Sequence, residues 1–422
     1  MAGTLPGAVQ VVFMLGSSGV RDSVQVPSPA PTPAAVDPPA FVRVRPRRRR
    51  RRARRLVVAL VVALVLLVPI VWSYASWMLR PSSLPFTIRS VEWVRANHGA
   101  WLVDGVERFY YTHKAPRKGG PGIKALPTVG VAVVAERKPA YRPPPRILPL
   151  LAPRLPGEGV WHPGTWRYMG EPPVLVTDFR PDPSYPSIVA YVAWIDRART
   201  RLALYPGRYE PPGGGPRGPM QVPADQRGRL VATFNSGFTY KDGHGGFAVN
   251  GITYEPLRQG LATLVEYRSG RVDVTSWRGG SSPGTDVVLA RQNAPLLVAG
   301  GVPTSDPYGP AWGYTLGNKV RVWRSAVGID RRGNLLYAAA DYQTVASMAA
   351  LMAHAGAVRA MELDINSEWP TFDTYVSRGG NDPIRLVPND QQPAARYLLP
   401  DDRDFFAVYA AGPSRPGTTP MS

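Results

Sequence analysis

The sequence predicts an α+β fold: a mixed, β-sheet-rich domain with few helices, preceded by a single transmembrane helix and a small stalk subdomain. Three observations lead there. Between Gly157 and Ala411, short apolar runs alternate with turns rich in Gly, Asn and Asp. Within that span one stretch, Gln343 to Ala355, spaces Val345, Met348, Ala349 and Met352 at helical intervals. Upstream, Leu56 to Leu79 runs 24 residues without a charge, against the ~20 that cross a bilayer.

The N-terminal third explains most of the unusual composition. The 422 residues carry a formal net charge of +20, and residues 1–55, with 11 Arg and 2 Asp, supply +9 of it. Arg43, Arg45, Arg47 to Arg52, Arg54 and Arg55 form a dense arm directly before the apolar run. A basic block in that position retains its end in the cytoplasm and directs the downstream chain outward. Trp72, Tyr74 and Trp77 stand where an outer aromatic belt belongs. Ser73-Tyr74-Ala75 has the small-x-small pattern of a cleavage site, but the run is long for a signal peptide, which favours an uncleaved anchor. No aromatic residue interleaves with the arginines, so the arm implies no nucleic-acid partner. The chain has no cysteine, which excludes disulfides and thiolate metal sites.

The expected organisation comes from these shifts. Residues 1–55 read as a disordered cytoplasmic tail with its Arg-rich arm, and 56–79 as the span. Residues 80–140 read as a stalk whose Trp93, Trp101, Phe109 and Tyr110 want burial, and 141–156 as a stiff Pro-rich linker. The main domain occupies 157–411, and 412–422 is a tail.

In that domain Ser187 to Ile195 and Thr200 to Tyr205 read as a hairpin pair, and Leu230 to Phe234 as a strand. Phe247–Val249 and Ile252–Tyr254 flank Asn250-Gly251, a strong two-residue turn signal. Leu261–Arg268 and Val272–Trp277 flank Ser269-Gly270. Val287–Leu289 and Leu296–Val298 are strand-like around an ARQNAP segment. Ser325–Asp330 and Leu335–Ala340 flank Arg331-Arg332-Gly333-Asn334, and Gly356 is placed to end the helix.

The chemistry concentrates at the end of Val358 to Ile365. Alternation puts Met361, Leu363 and Ile365 on one face and Glu362, Asp364 and Asn366 on the other. Two carboxylates at i, i+2 lie ~7 Å apart and perturb each other's proton affinity. Arg324, at a strand start facing the same end, suits a bidentate clamp on phosphate, or a surface salt bridge. Asn235, Gly237 and the glycine-rich loop carrying His244 come directly after a strand, as a ligand loop or a capped turn. Asp341 precedes the helix, where it caps the N-terminus or lines the pocket. Asp364-x-Asn366-x-Glu368 opens like a calcium loop, but Trp369 and Tyr375 stand where its Gly and Glu belong, so the EF-hand reading fails. A divalent cation on oxygen ligands stays open, and no metal site is assigned.

These pieces together resemble the phosphodiester glycosidase family over roughly Gly157 to Ala411. The family's Asn-Gly-Gly-Phe-Phe loop is matched by Asn235-Ser236-Gly237-Phe238-Thr239, and its Val-x-Asn-Gly turn by Ala248-Val249-Asn250-Gly251. Its Arg-x-Ala-Ile-Gly strand is matched by Arg324-Ser325-Ala326-Val327-Gly328, and its Leu-Gly-Ala helix end by Ala355-Gly356-Ala357. Its Leu-Asp-Gly-Gly-Gly-Ser motif corresponds to Leu363-Asp364-Ile365-Asn366-Ser367, without the glycine triplet. Ala290-Arg291-Gln292-Asn293 resembles the strand leading to a pocket loop. The resemblance implies hydrolysis of a sugar-1-phosphodiester, with Asp364, Arg324 and Asn235 in the pocket. Glu362 or Glu368 would be the acid/base partner of Asp364. Asn235 and Asn250 would hold sugar hydroxyls, with Gly237, Asn366, Asp341, Gln292 and His244 lining the site. The expected partners are a sugar phosphodiester or envelope glycan, and the membrane through one helix. The alternative is a non-catalytic cell-surface glycan-binding protein on the same fold.

Overall fold

The computed structural model describes residues 48–115, 117–126, 141–312, 321–388 and 391–411, with some side chains between 48 and 66 and that of Pro310 excepted. The predicted tails before 48 and after 411, and the stalk residues 127–140, lie outside them. Contacts divide the chain at Val65/Leu66. The first unit is described only as helix, the start of α1 (Arg48–Met78). The second unit holds the rest of α1, α2 (Phe86–Val94), α3 (Ala100–Lys114), α4 (Tyr240–Gly243), α5 (Val345–His354) and every strand described.

The strands are, in order, β1 (His162–Pro163), β2 (Val174–Phe179), β3 (Ala190–Ile195), β4 (Thr200–Tyr205), β5 (Leu230–Asn235) and β6 (Phe247–Val249). Next come β7 (Ile252–Glu255), β8 (Ala262–Tyr267), β9 (Val272–Ser276), β10 (Val287–Gln292), β11 (Leu296–Ala299) and β12 (Val302–Pro303). The remainder are β13 (Val322–Ile329), β14 (Leu335–Gln343), β15 (Arg359–Glu362), β16 (Phe372–Tyr375), β17 (Pro383–Arg385) and β18 (Phe405–Ala410). They form an eight-stranded sheet, β1-β2-β3-β14-β13-β15-β11-β12, and two five-stranded sheets, β7-β6-β10-β8-β9 and β17-β16-β5-β18-β4. The sheet-rich mixed class is the one the sequence predicts.

One apolar cluster packs alternate residues of the large sheet, such as Tyr191, Val327, Tyr337 and Met361, against Leu264, Val274, Phe234 and Phe406 of the smaller sheets. A second covers the other face with α5, whose Val345, Met348 and Met352 meet Leu336, Ala338 and Ala360. Period 2 in the strands and 3.6 in the helix make the match. Thr344 and Ser347 close a capping box on α5, each side chain bonded to the other's backbone N–H. Gly356 ends the turn at φ +100°, where a side chain would be strained.

Three predicted hairpins form as read. Asn250 and Gly251 both adopt positive φ between β6 and β7, β8 pairs β9, and β13 pairs β14 in register from Arg324 to Ile329. Two others do not. β3 pairs β2 and β14 while β4 pairs β18, and β10 joins β6 and β8 while β11 joins β15. Their short connections carry the chain from one sheet to another, a corner that strand propensity alone does not distinguish from a hairpin.

The predicted span is helical as far as Met78. Among the described residues, no helix is long and apolar enough to cross a membrane, so they do not show the span. Of the expected aromatic belt, Trp72 is exposed, whereas Trp77 stacks on Tyr209 at 4.8 Å and Tyr74 meets Trp93 edge-on. Downstream, Ile147 of the Pro-rich segment is buried and its N–H bonds the Gly159 carbonyl.

Candidate active site

The C-terminal end of β15 and the N-terminal end of β13 meet at one edge of the large sheet, where β5 of a smaller sheet also ends. There Asn235 works as a bracket. Its side-chain amide donates to Ser325 Oγ (3.0 Å), and its Oδ1 accepts from the Tyr337 hydroxyl (2.9 Å) and the Thr371 N–H (3.1 Å). Ser325 Oγ donates to the Asp364 carbonyl at 2.8 Å, and the Asp364 N–H bonds the Ser236 carbonyl. Asn293 donates to the Glu362 carbonyl at 2.8 Å and accepts from the Phe238 N–H. A Cβ on Gly237 would stand 3.1 Å from the Asn293 side chain, so glycine lets the loop close here.

The two strand acids part company at this edge. Glu362 Oε1 accepts from Arg324 Nη1 at 2.5 Å, and both residues are 0% exposed beside the N-terminal end of α5, with Arg324 Nε on the Gln343 carbonyl. Glu362 Oε2 and Arg324 Nη2 have no partner. Burial pushes the Glu362 carboxyl up to about 7, opposed by Arg324. Asp364 leaves the sheet instead. Its Oδ2 accepts from Arg403 Nη2 at 2.6 Å and its Oδ1 from the Asn366 N–H. Burial raises its proton affinity, against the pull of Arg403.

Arg403 escaped sequence reasoning. It sits in Asp401-Asp402-Arg403-Asp404, where every acid is taken: Asp401 by Arg396 (2.6 Å), Asp402 by Arg208 (2.5 Å) and Asp404 by Arg291 (2.7 Å). Its guanidinium also bonds the Gly237 carbonyl and lies 4.7 Å above the Trp369 ring. The signal lay in a four-residue charged cluster immediately before an apolar strand.

Glu368 completes the carboxyl set. Its Oε2 stands 3.5 Å from Arg95 Nη1 without a hydrogen bond, and burial drives its proton affinity up to about 8 against that cation. Arg95, between α2 and α3, also holds Glu92 (2.9 Å) and Glu107 (2.5 Å). Glu107 accepts in turn from Asn366 Nδ2 at 3.4 Å. The α2–α3 pair thus reaches the acid cluster through Arg95 and Glu107.

The remaining expected residues lie elsewhere. Gln292 is buried and spent on Gly246, Arg258 and Thr263. Asn250 is exposed at its hairpin tip, and His244 is exposed at φ 49° after α4. Asp341 is within β14 and leaves the capping to Thr344. It lines two clefts, of about 290 Å³ and 230 Å³, that share it and Trp323. Burial brings its carboxyl up to about 7. Val106, Glu107, Tyr110, Tyr111 and Ser367 wall the first cleft, and Tyr191 and Tyr342 the second. Among the described residues, no group of acids and histidines is arranged to hold a metal ion.

The phosphodiester glycosidase family model matches residues 228–364, which confirms the family resemblance over that segment. It takes in Asn235, Arg324, Glu362 and Asp364, and leaves out Glu368, Arg403 and Arg95. No curated protein matches the sequence. Among solved structures, the catalytic domain of zebrafish N-acetylglucosamine-1-phosphodiester alpha-N-acetylglucosaminidase, auto-inhibited by its pro-peptide, is 16% identical with a TM-score of 0.38. The match covers 59% of this chain and 87% of that one. A hypothetical protein from Synechocystis is 12% identical, TM-score 0.37, over 60% of this chain and 63% of its own. A putative exported protein from Burkholderia pseudomallei is 13% identical, TM-score 0.32, over 53% and 74%.

Proposed function

We propose that this chain hydrolyses sugar-1-phosphodiester linkages in cell-envelope glycans, from a domain held outside the membrane by the apolar part of α1. The observation that carries the reading is a pair of unlike carboxyls in one cluster, next to the cleft that Glu107 and Ser367 line. Glu368 keeps its proton at neutral pH, with a pKa of about 8, while Asp364 is bound to the Arg403 guanidinium. Environments that separate two carboxyls in this way assign an acid and its partner. Glu368 is the proton donor to the leaving phosphate oxygen, and Asp364 acts at the sugar carbon as base or nucleophile. Arg403 and Arg95 flank the anion and offset charge as the bond breaks. Arg324, sealed beside Glu362, reaches no ligand and acts as a support. Trp323 and Asp341 offer a sugar an aromatic face and a carboxyl acceptor.

The anchor rests on length and charge. Twenty-four uncharged residues from Leu56 to Leu79 make ~36 Å of helix, against a hydrocarbon core of ~30 Å, behind a ten-arginine arm. Alkaline carbonate washing of membranes tests it: the chain stays in the pellet, and release into the wash removes the anchor.

The chemistry is tested on a synthetic sugar-1-phosphodiester. Asp364→Asn and Glu368→Gln should each lose about 10²–10⁴-fold in rate with the fold intact. Full activity in both would dismiss the assignment. One observation favours a glycan-binding reading instead: Ile365, Asn366 and Ser367 fill the place of the family's glycine triplet, with Asn366 bonded to Glu107. Retention of glycan without released sugar by the wild-type chain would support it.

A further inference from the structure

Helix α3 is inside out. The side it turns to the domain carries Val103, Asp104, Glu107 and Tyr111, with Glu107 bonded by Arg95 and Tyr111 4% exposed. The outer side carries Trp101, Leu102 and Phe109, 75, 51 and 67% exposed, with Val106 and Tyr110, 62 and 53% exposed, at its border on the adjoining cleft. At ~100° per residue these five fall within about half the helix circumference. A helix packed on a domain in water does the reverse, with its apolar stripe inward and its charges out. Scattered exposed apolar residues need no explanation, but a contiguous face of this kind marks a binding surface.

Two further observations say what covers it. First, the helix pair that carries the face is tied to the end of the uncharged run. Trp93 Nε1 donates to Ser73 Oγ (3.1 Å), the Tyr74 and Ser90 hydroxyls are 2.8 Å apart, and Arg89 donates to the Trp77 carbonyl (2.5 Å), pinning the helical hairpin to the end of α1. On that end Trp72 and Leu79 are 76% and 84% exposed. Second, the described chain after α3 exposes Arg117, Lys118 and Lys124, and no acid occurs from Arg108 to Pro127. Exposed aromatics followed by cations are what an anionic bilayer surface attracts.

We propose that α3 lies in the interfacial layer of the membrane, with its Trp101-to-Tyr110 face at the headgroup–acyl boundary and the basic loop on anionic headgroups. The proposal builds on the hydrolase reading and narrows its substrate class. Glu107 and Arg95 tie this helix to Asn366 and Glu368, and Val106 and Tyr110 wall the adjoining cleft. The adjoining cleft therefore sits at headgroup height. Its substrates are sugar phosphodiesters whose other half stays in the bilayer, that is, lipid-linked sugars rather than free soluble glycans.

The absence of native cysteine makes the test direct. Phe109→Cys and, at the β13–β14 turn, Arg332→Cys are each labelled with bimane in the full chain, reconstituted into vesicles of phosphatidylcholine and phosphatidylglycerol. Nitroxide on the lipid should quench the label at 109 about threefold or more over that at 332. Equal quenching overturns the proposal. Rapid disulfide-linked dimers of the Phe109→Cys chain would also overturn it, by seating a second copy on the face. The quenching needs no turnover, so its result stands apart from the hydrolase assay, and carbonate washing reads α1 independently of α3. For the substrate class, Trp101→Ser with Leu102→Ser should lower kcat/KM about tenfold more on a vesicle-borne lipid-linked phosphodiester than on a soluble one. An equal loss on both refutes the narrowed class.

Discussion

Glu362 and Asp364 stand two residues apart on one strand, and each meets an arginine, yet the two pairs do different work. The Arg324–Glu362 pair, at 2.5 Å, is wholly enclosed, with one nitrogen and one oxygen left without partners. The Arg403–Asp364 pair, at 2.6 Å, lies at the edge, with side chains 9% and 8% exposed and Glu368 nearby. Glu362 is still within the regular ladder, opposite Ala326; past it the pairing shifts, so that the Asp364 carbonyl takes the Ser325 N–H while the Asp364 N–H crosses to Ser236, just after β5. Alternation assigns a face only while the ladder lasts. The same ion-pair chemistry is an enclosed support on one side of that point and, in the proposed reaction, part of the reacting site on the other.

The largest effect should come from breaking the enclosed pair. Arg324→Met alone leaves a carboxyl buried without its cation and should cost ~3–5 kcal/mol of stability in urea unfolding. Arg324→Met combined with Glu362→Leu should recover most of that loss. A single variant as stable as the wild type would put the two pairs in the same class. Arg403→Met sharpens the contrast: turnover should fall about 10²-fold while the stability loss stays smaller than that of Arg324→Met. Equal turnover by the variant and the wild type would return Arg403 to a structural role.

A pH series separates the regions next. Glu368 and Asp341 bind protons more tightly folded than unfolded, with folded values of about 8 and 7 against usual values of 4.5 and 3.8. A raised folded value gives stability that is complete below pH ~4 and is lost as pH climbs through 7 and 8. The melting temperature should therefore fall from pH 5 to pH 9, and Glu368→Gln should flatten the upper part of that fall. Activity should fade with an alkaline limb near pH 8 in the wild type. A melting temperature that rises across this range would contradict the burial of both groups. The smallest effect belongs to Asn250→Gly at the exposed hairpin tip, within ~0.5 kcal/mol of wild-type stability, since glycine adopts the same positive φ freely.

Local features of the sequence carried far. The Asn250-Gly251 and Arg331-to-Asn334 turns, the α5 spacing and the acids closing β15 are all set by residues within reach of one another. What was hidden depends on distant segments. Whether β4 returns beside β3 or crosses to β18 is decided by which apolar faces complete each core, and both choices have the same alternation. Asp364 finds its guanidinium 39 residues on, at Arg403, and Glu368 is approached by Arg95 from 273 residues before. No spacing rule links such groups. Gln292 teaches a related point: a polar residue beside a motif can serve the backbone around that motif, as it does at Gly246 and Arg258.

The position of β18 sets the order in which this molecule becomes competent. It lies between β5 and β4, and among the described strands β4 has no other neighbour in its sheet. A chain still being synthesised therefore holds Thr200–Tyr205 as a solitary ribbon until Phe405–Ala410 arrives some two hundred residues later. The same arrival delivers Arg403 to Asp364. Closure of this sheet and the pairing of Asp364 with its guanidinium are therefore one event.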